Sequence, residues 1–478
     1  MSTPARLSRA ALGTLPPECR PQIDPAALRP RIVHLGIGAF HRAHQAALTE
    51  TAEAQHGGGW GIAGISQRSR SVVDTLRPQD GLYSLTLREP AGPRTRVVGS
   101  VTEVLHAADA ERLTGLIASP DVTVITTTVT EKGYRRDPVS GGLAWDDPGV
   151  RSDLAGAPAP VTVIGQLAAG LRARRHTGAP LSVAPCDNMA DNGSVVRRLV
   201  QEFVAAAPWH DRDRLLEWID SSVGFPSTVV DRIVPATGEA DRRTAAAALG
   251  LRDEGAVVAE PFTQWVLQDS FAADRPRWES AGAQLVADVA PYQMMKLRLL
   301  NGSHSLLACL GLAAGCRTVA DAMDTPWGEP AVRAYAAEVA QSLASASDLD
   351  IPAYVDSLLS RFANHAMDHR LAQIATDSSL KIPERWLAAL RDLRSAGLQT
   401  PVLTTALATW ARHTRDGQLD DPAADRLRRA WQSPQDGAIR ELLRTLGAPD
   451  LAEDSAFVAE VDGRVGALDR GSRAWFTG

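Results

Sequence analysis

The feature that most restricts the fold of this chain is a short apolar strand that runs straight into a glycine turn and then a helix. Arg31-Ile-Val-His-Leu35 leads into Gly36-Ile-Gly-Ala-Phe-His-Arg-Ala-His44, and residues 45–55 carry helical patterning. Strand, glycine turn and helix in that order open a dinucleotide-binding unit. The first glycine permits the tight turn, the second lets the backbone approach a pyrophosphate, and the helix N-terminus favours the anion. Gly36 and Gly38 suit those two roles, while His41 stands where the pattern has a third glycine. With that position changed, the spacing also suits an ordinary strand-to-helix connection. A ribose-binding acid is expected at the end of the second strand, and none is there. Ile65-Ser66-Gln67-Arg68-Ser69-Arg70 offers guanidinium and hydroxyl groups instead, suited either to a 2′-phosphate or to a solvated basic loop.

The alternation continues along the first half. A second strand is expected over 60–65 after Gly57-Gly58-Gly59, then a β-rich excursion over 82–87 and 95–101. The unit resumes with a strand over 122–128, a helix over 163–175 and a strand over 181–185 that stops at Cys186-Asp187-Asn188. From about residue 290 the strand signals fade into Ala/Leu/Arg stretches at helical spacing, broken by Pro326, Pro352, Pro383 and Pro401. The expected fold is α/β: an N-terminal Rossmann-like doubly wound sheet over residues 1–285, then a mainly α-helical domain over 286–478. A length of 478 residues accommodates two such domains, with residues 1–30 as a Pro-rich arm packed on the first.

Composition excludes several classes. Hydrophobic residues at 44% and charged residues at 22% have the balance of a soluble globular protein. A formal charge of -6 leaves no basic excess for a nucleic-acid backbone or an anionic membrane. Cys19, Cys186, Cys309 and Cys316 form no CxxC pair, so neither a disulfide framework nor a zinc ribbon is expected, and metal ligands are expected to be none. The N-terminal stretch lacks a signal-peptide apolar run, and no stretch of about 18 apolar residues occurs. The expectation is a cytoplasmic protein, monomer or small homo-oligomer, acting on a small molecule.

The chemistry concentrates in Tyr292-Gln-Met-Met-Lys296-Leu-Arg-Leu-Leu-Asn301-Gly-Ser-His304. On an α-helix at about 100° per residue, Lys296, Asn301 and His304 fall near 0°, 140° and 80°, so all three project from one side. Met294, Met295, Leu297, Leu299 and Leu300 flank the lysine, and an ammonium partly withdrawn among them drops in pKa, as a general base requires. Most lone lysines on helices are solvated and have no such role. The combination of base, amide and imidazole on one apolar helix is what marks the segment.

Seven ordered motifs then identify the chain as similar to the mannitol dehydrogenase family of long-chain polyol dehydrogenases, nearly end to end. They are Gly36 to His44, Gln79-Asp80-Gly81-Leu82-Tyr83, Thr130-Glu131-Lys132-Gly133-Tyr134, Cys186-Asp187-Asn188 with Asn192-Gly193, Phe225-Pro226 to Asp231-Arg232-Ile233, Glu260-Pro261-Phe262 to Gln264-Trp265, and Lys296 to His304. The resemblance implies a zinc-independent oxidoreductase using NAD or NADP, in which the lysine matching Lys296 takes the hydroxyl proton as hydride leaves the same carbon. Asn188 and Asn301 match asparagines that hold the developing alkoxide, as preorganised amide donors should. His304 matches a substrate-orienting histidine. Asp231 matches a substrate-side aspartate, and serves equally as a partner for Arg232 or a helix cap. Gly36, Gly38, Phe40, His41 and Arg42 belong to the family's nucleotide turn, with Arg68 beyond it.

Departures bear on substrate. Arg361-Phe-Ala-Asn364 is shared with mannitol dehydrogenases, which then carry an arginine where this chain has Gln373, and Gln293 replaces a glutamate of some of them. His369-Arg370-Leu-Ala-Gln373 to Asp377, with Lys381-Ile-Pro383, looks more like the fructuronate reductase branch. Arg370 could then pair with a substrate carboxylate, or merely with Asp368 or Asp377. The sugar-acid reading, fructuronate and mannonate, therefore leads, with mannitol or arabinitol oxidation as its alternative. A catalytically silent sugar or nucleotide sensor is disfavoured, because it would need no base.

Overall fold

The structure, a computed structural model, describes residues 4–157, 159–343, 349–416, 419–433 and 437–470. It divides into two compact units, Met1–Ala290 and Pro291–Gly478.

Among the described residues, the first unit holds twelve strands. In chain order they are β1 (Arg29–Leu35), β2 (Trp60–Ser66), β3 (Tyr83–Glu89), β4 (Gly92–Val98), β5 (Val101–His106), β6 (Val124–Thr127), β7 (Leu181–Pro185), β8 (Val223–Gly224), β9 (Thr228–Asp231), β10 (Val257–Ala259), β11 (Gln264–Gln268) and β12 (Gln284–Val286). Six form a parallel sheet in the order β5-β2-β1-β6-β7-β8. The chain thus winds outward from β1 in one direction and then from β6 in the other, which is the doubly wound dinucleotide-binding topology. Both faces are covered, which is why the central strands read as continuous apolar runs. Val33, Leu35, Ile125 and Val183 pack with the helices Ala110–Ala118, Val163–Arg174 and Asn192–Ala206. Ile32, Ile62 and Val124 face the other way, onto the helix Gln45–His56.

One stretch departs from the sequence expectation. The β-rich excursion is a hairpin of β3 and β4, but β5 leaves it and returns to the main sheet as an edge strand beside β2. The break falls at Gly99-Ser100, where the Gly99 amide donates to the Glu50 carboxylate and the Ser100 hydroxyl donates to the Ala46 carbonyl at 2.8 Å. These bonds pin the chain to the helix Gln45–His56 and aim it back at β2. The hairpin gains β10 as a third strand, and β12-β11-β9 make a further small sheet.

The second unit is helical, and no strand is described after β12. Its core gathers Leu299, Leu306, Tyr335, Phe362, Trp386 and Trp410, among others, from the helices Gly302–Ala313, Gly328–Ala340, Ile351–Phe362 and Pro401–Asp416. Pro352 and Pro401 sit in the first turns of their helices, where a missing N–H costs nothing. Pro383 was expected to break a helix and does not. The chain passes from Ser378–Ile382 through a π-helical turn, Pro383–Leu387, into Ala388–Ser395, and the widened turn accommodates the ring. No helix among the described residues is long and apolar enough to cross a membrane.

Candidate active site

In the first unit the strand order reverses between β1 and β6, and the carboxyl ends of these strands are where doubly wound sheets bind nucleotides. Gly36 leaves β1 at φ +114°, and a Cβ there would lie 2.5 Å from the Thr128 carbonyl oxygen, so only glycine fits. Gly38 is different. A Cβ on it would meet only the Gly36 carbonyl, at 3.7 Å, so the chain itself makes no demand for glycine there. The space is open, as close approach of a pyrophosphate to the backbone requires. The residues present therefore fit a dinucleotide.

A polar network underlies the turn. His34 on β1 bonds Thr126 Oγ1 at 2.7 Å through one ring nitrogen and Thr128 Oγ1 at 2.8 Å through the other, and the Thr128 hydroxyl donates to the Gly36 carbonyl at 2.8 Å. Burial lowers the His34 pKa to about 3, so the ring is neutral. The ring of His41 stacks on it with centroids 3.3 Å apart. Thus His41 and Arg42, both expected at the nucleotide turn, carry their side chains inward. The Arg42 guanidinium is buried, donating to the carbonyls of Gly38 at 3.2 Å and Gly255. The physical reason is the shortness of the helix Ala39–Ala43, which breaks at His44 and presses this run onto β1. Phe40 is half-buried and stacks on His44. At the end of β2, Arg68 is exposed and makes no hydrogen bond or ion pair among the described residues, while Gln67 is tied to Gln166 at 3.0 Å.

Behind β6 and β7 the Cys186-Asp187-Asn188 motif divides its labour. Asp187 accepts from the Tyr134 hydroxyl at 2.6 Å, from the Met189 amide at 3.0 Å and from Asn192 at 3.3 Å, and burial raises its pKa. Asn192 stitches the end of β7 to β9 by donating to the Pro185 and Thr228 carbonyls, both at 3.2 Å, and accepting from the Thr228 amide at 2.9 Å. Asn188 stands exposed beside this anchored Asp187, and Asp231 is buried at the end of β9. Arg232 donates to the carbonyls of Glu260, at 2.8 and 3.0 Å, and Ala43.

The second unit carries the lysine segment, and here the geometry differs from the expected α-helix. Lys296–Asn301 is a π-helical turn between Ala290–Met295 and Gly302–Ala313. With i→i+5 pairing, the residue one turn on from Lys296 is Asn301, so the amide stands closer to the line of the lysine than α-helical spacing puts it. Lys296 and Asn301 are half-buried, and His304 is buried, its ring against Phe362 at 4.5 Å and edge-on to His369 at 4.9 Å. Burial lowers the His304 pKa, and His369, Arg361 and Arg385 push it the same way, so the imidazole is neutral. Arg298 faces inward and pairs with Asp392 at 2.6 Å. Among the described residues, no group of three or more His, Cys, Asp or Glu side chains is placed to hold a metal ion.

Residues 30–280 match the mannitol dehydrogenase Rossmann domain, and residues 288–469 match the mannitol dehydrogenase C-terminal domain. The chain belongs to the mannitol dehydrogenase family. Its members are nicotinamide-dependent oxidoreductases, and so is this chain. It is 37% identical to the D-mannonate oxidoreductase of Escherichia coli strain K12, with 96% of this chain and 97% of the relative covered. It is 35% identical to a mannitol 2-dehydrogenase of Pyrenophora tritici-repentis, covering 92% of this chain and 80% of that one. Among solved structures, the ternary complex of Pseudomonas fluorescens mannitol 2-dehydrogenase with NAD and D-mannitol is similar at a TM-score of 0.80 and 33% identity, covering 99% of each chain.

The two residues proposed to set the substrate lie next to each other on the second unit. Arg370 is 63% exposed, with its Nε 3.7 Å from an Asp368 carboxylate oxygen, and Gln373 is exposed on the helix Leu371–Ala375. It is the neighbouring His369 that meets His304. Sequence reasoning missed His369 because a histidine beside an arginine drew less attention than the charge. It also missed the Thr126 and Thr128 hydroxyls of the network below the glycine turn and the Tyr134 hydroxyl that bonds Thr127 and Asp187, although hydroxyls in and after the apolar strand β6 are a readable signal.

Proposed function

We propose that this chain interconverts a secondary alcohol and a ketone on an open-chain sugar acid, D-mannonate and fructuronate first, with a metal-independent mechanism in which Lys296 is the general base. The observation that supports this most is the half-buried Lys296 on a π-turn, one turn before Asn301 and followed by the neutral, buried His304. A bound nicotinamide would supply the hydride acceptor. Lys296 takes the hydroxyl proton, Asn301 and Asn188 donate to the oxygen as negative charge grows on it, and His304 and Asp231 orient the chain of hydroxyls. Gly36 and Gly38 would hold the dinucleotide's pyrophosphate against the backbone. NAD is the first choice of dinucleotide. The exposed Arg68, with no carboxylate over residues 66–70, favours NADP as a second reading. We take the protein to work in the cytoplasm as a monomer or small homo-oligomer.

The sugar-acid reading leans on the near full-length similarity to D-mannonate oxidoreductase. Mannitol oxidation to fructose is the second reading, favoured by similarity to the solved mannitol complex. Initial rates on mannonate, mannitol, arabinitol, altronate and sorbitol, each with NAD and NADP, separate the two. Higher kcat/KM on mannitol than on mannonate would overturn the first reading.

A further inference from the structure

The π-turn that carries Lys296 needs outside support. A π-turn interrupts the i→i−4 ladder and leaves main-chain carbonyls without their helical donors, at a cost of about 1–3 kcal/mol for each one left buried and unmet. Three side chains from elsewhere in the unit supply donors at this turn and just beyond it. The Tyr335 hydroxyl donates to the Arg298 carbonyl at 2.9 Å, Arg385 Nη1 to the Asn301 carbonyl at 3.3 Å, and Trp386 Nε1 to the Gly302 carbonyl at 3.1 Å. Arg385 Nη1 also reaches Ser305 Oγ at 2.8 Å, fastening the next turn. The fit is close: a Cβ on Gly302 would lie 1.9 Å from the Tyr335 oxygen, so that glycine makes room for the donor.

Two further facts point away from simple packing. Arg385 and Trp386 stand on the second π-turn, Pro383–Leu387, so one irregular turn holds the other. Arg385 is half-buried with no carboxylate partner among the described residues, and desolvation brings its pKa down to about 10. An apolar core of this size would be more stable without a solitary guanidinium.

We infer that Tyr335, Arg385 and Trp386 form a brace that holds the Lys296–Asn301 turn in its π register and thereby sets the positions of the base and the amide. The inference rests on the reading of Lys296 as the base. A π-turn amounts to one inserted residue, and its relaxation to α-helix would swing one side of the turn about 100° relative to the other. Asn301, one turn on from Lys296 in the π register, would then fall about 140° round the helix from it, at the edge of the side they share. The three brace residues are positioning residues, acting through the turn.

The test uses the full-length enzyme loaded with its dinucleotide and whichever panel sugar it turns over. Tyr335→Phe, Trp386→Phe, Arg385→Met and Arg385→Lys are compared for kcat, KM, dinucleotide Kd and the primary isotope effect with deuterium at the oxidised carbon. The brace predicts a fall in kcat of about 10- to 100-fold in Tyr335→Phe and Arg385→Met, since small misplacements of reacting groups have effects of that size. The isotope effect rises, dinucleotide Kd stays within about twofold, and Arg385→Lys, which keeps a donor, recovers most of the rate. Wild-type kcat and isotope effect in Tyr335→Phe and Arg385→Met, or lower melting temperature with unchanged kinetics of the folded fraction, overturn the brace. Lys296→Ala separates the two ideas. If it is inactive while the brace variants match wild type, only the brace fails; if it retains turnover, the reading of the base fails.

Discussion

Gly36 and Gly38 stand two residues apart in the same turn, yet alanine at each should have opposite consequences. At Gly36, φ is +114° and the new Cβ would sit 2.5 Å from the Thr128 carbonyl oxygen, 0.5 Å inside the closest approach that Cβ atoms make. The backbone strain amounts to about 1–3 kcal/mol. Relieving the contact means moving Thr128, whose amide is bonded to the Leu35 carbonyl at 3.0 Å, and overpacking of that kind adds about 1–3 kcal/mol more. A loss of about 2–6 kcal/mol is large against a total stability of about 5–15 kcal/mol. At Gly38, φ is -84° and the Cβ meets only the Gly36 carbonyl at 3.7 Å, so Gly38→Ala should melt within about 1 °C of wild type. The added methyl instead occupies the space through which a pyrophosphate would approach, and dinucleotide affinity should fall about tenfold or more. Differential scanning fluorimetry reads the first effect and quenching of tryptophan fluorescence by the reduced dinucleotide reads the second. Wild-type affinity in a stable Gly38→Ala protein would refute the assignment of this turn to the cofactor, and an unchanged melting temperature in Gly36→Ala would refute the steric argument.

Lys296→Ala should lower kcat by about 10²–10⁴-fold with dinucleotide Kd unchanged, measured by steady-state rates and fluorescence titration; near-wild-type turnover would sink the base assignment. Turnover should survive exhaustive dialysis against EDTA, because in the proposed mechanism the lysine supplies the base that a metal-bound hydroxide supplies elsewhere; loss of rate restored by zinc would show otherwise. Stability should fall on acidification between the ordinary histidine value near 6.5 and about 3. Over that window the unfolded chain takes up protons that the buried, neutral His34 refuses, and His41 and His304 are lowered by burial in the same direction. Each such histidine contributes a slope of up to roughly 1.4 kcal/mol per pH unit, lost as pH falls. A melting temperature that stays level from pH 7 to pH 5 would contradict this account.

What could be read from the chain depended on how local its cause was. The glycine turn and the alternation of apolar strands with helices are set by residues within a few positions of each other, and the doubly wound sheet followed from them. β5 escaped notice because the return from the hairpin is decided by bonds from Gly99 and Ser100 to a helix some 50 residues earlier. Pro383 misled for a similar reason. Proline at that place breaks an α-helix, and only the surrounding packing makes a π-turn the cheaper outcome. Arg370 is legible as a charge able to meet a carboxylate, but its surroundings are not: its Nε lies 3.7 Å from Asp368, and its backbone forms an isolated bridge with Thr318, some 50 residues earlier.

The lysine segment shows both sides of the argument at once. The residue types and their grouping on one helical side were visible in thirteen consecutive letters, because side-chain direction along a helix is local. The register was not visible, because an α-helix and a π-turn differ by whether carbonyls at 298, 301 and 302 find donors, and here those donors come from Tyr335, Arg385 and Trp386. A base, an amide and an imidazole can therefore be named from sequence, but their mutual placement depends on side chains 30 to 90 residues away. Substitutions at those distant positions should then disturb chemistry more than folding, whereas substitutions at Leu299 or Leu306, fully buried in the core of the same unit, should disturb folding first.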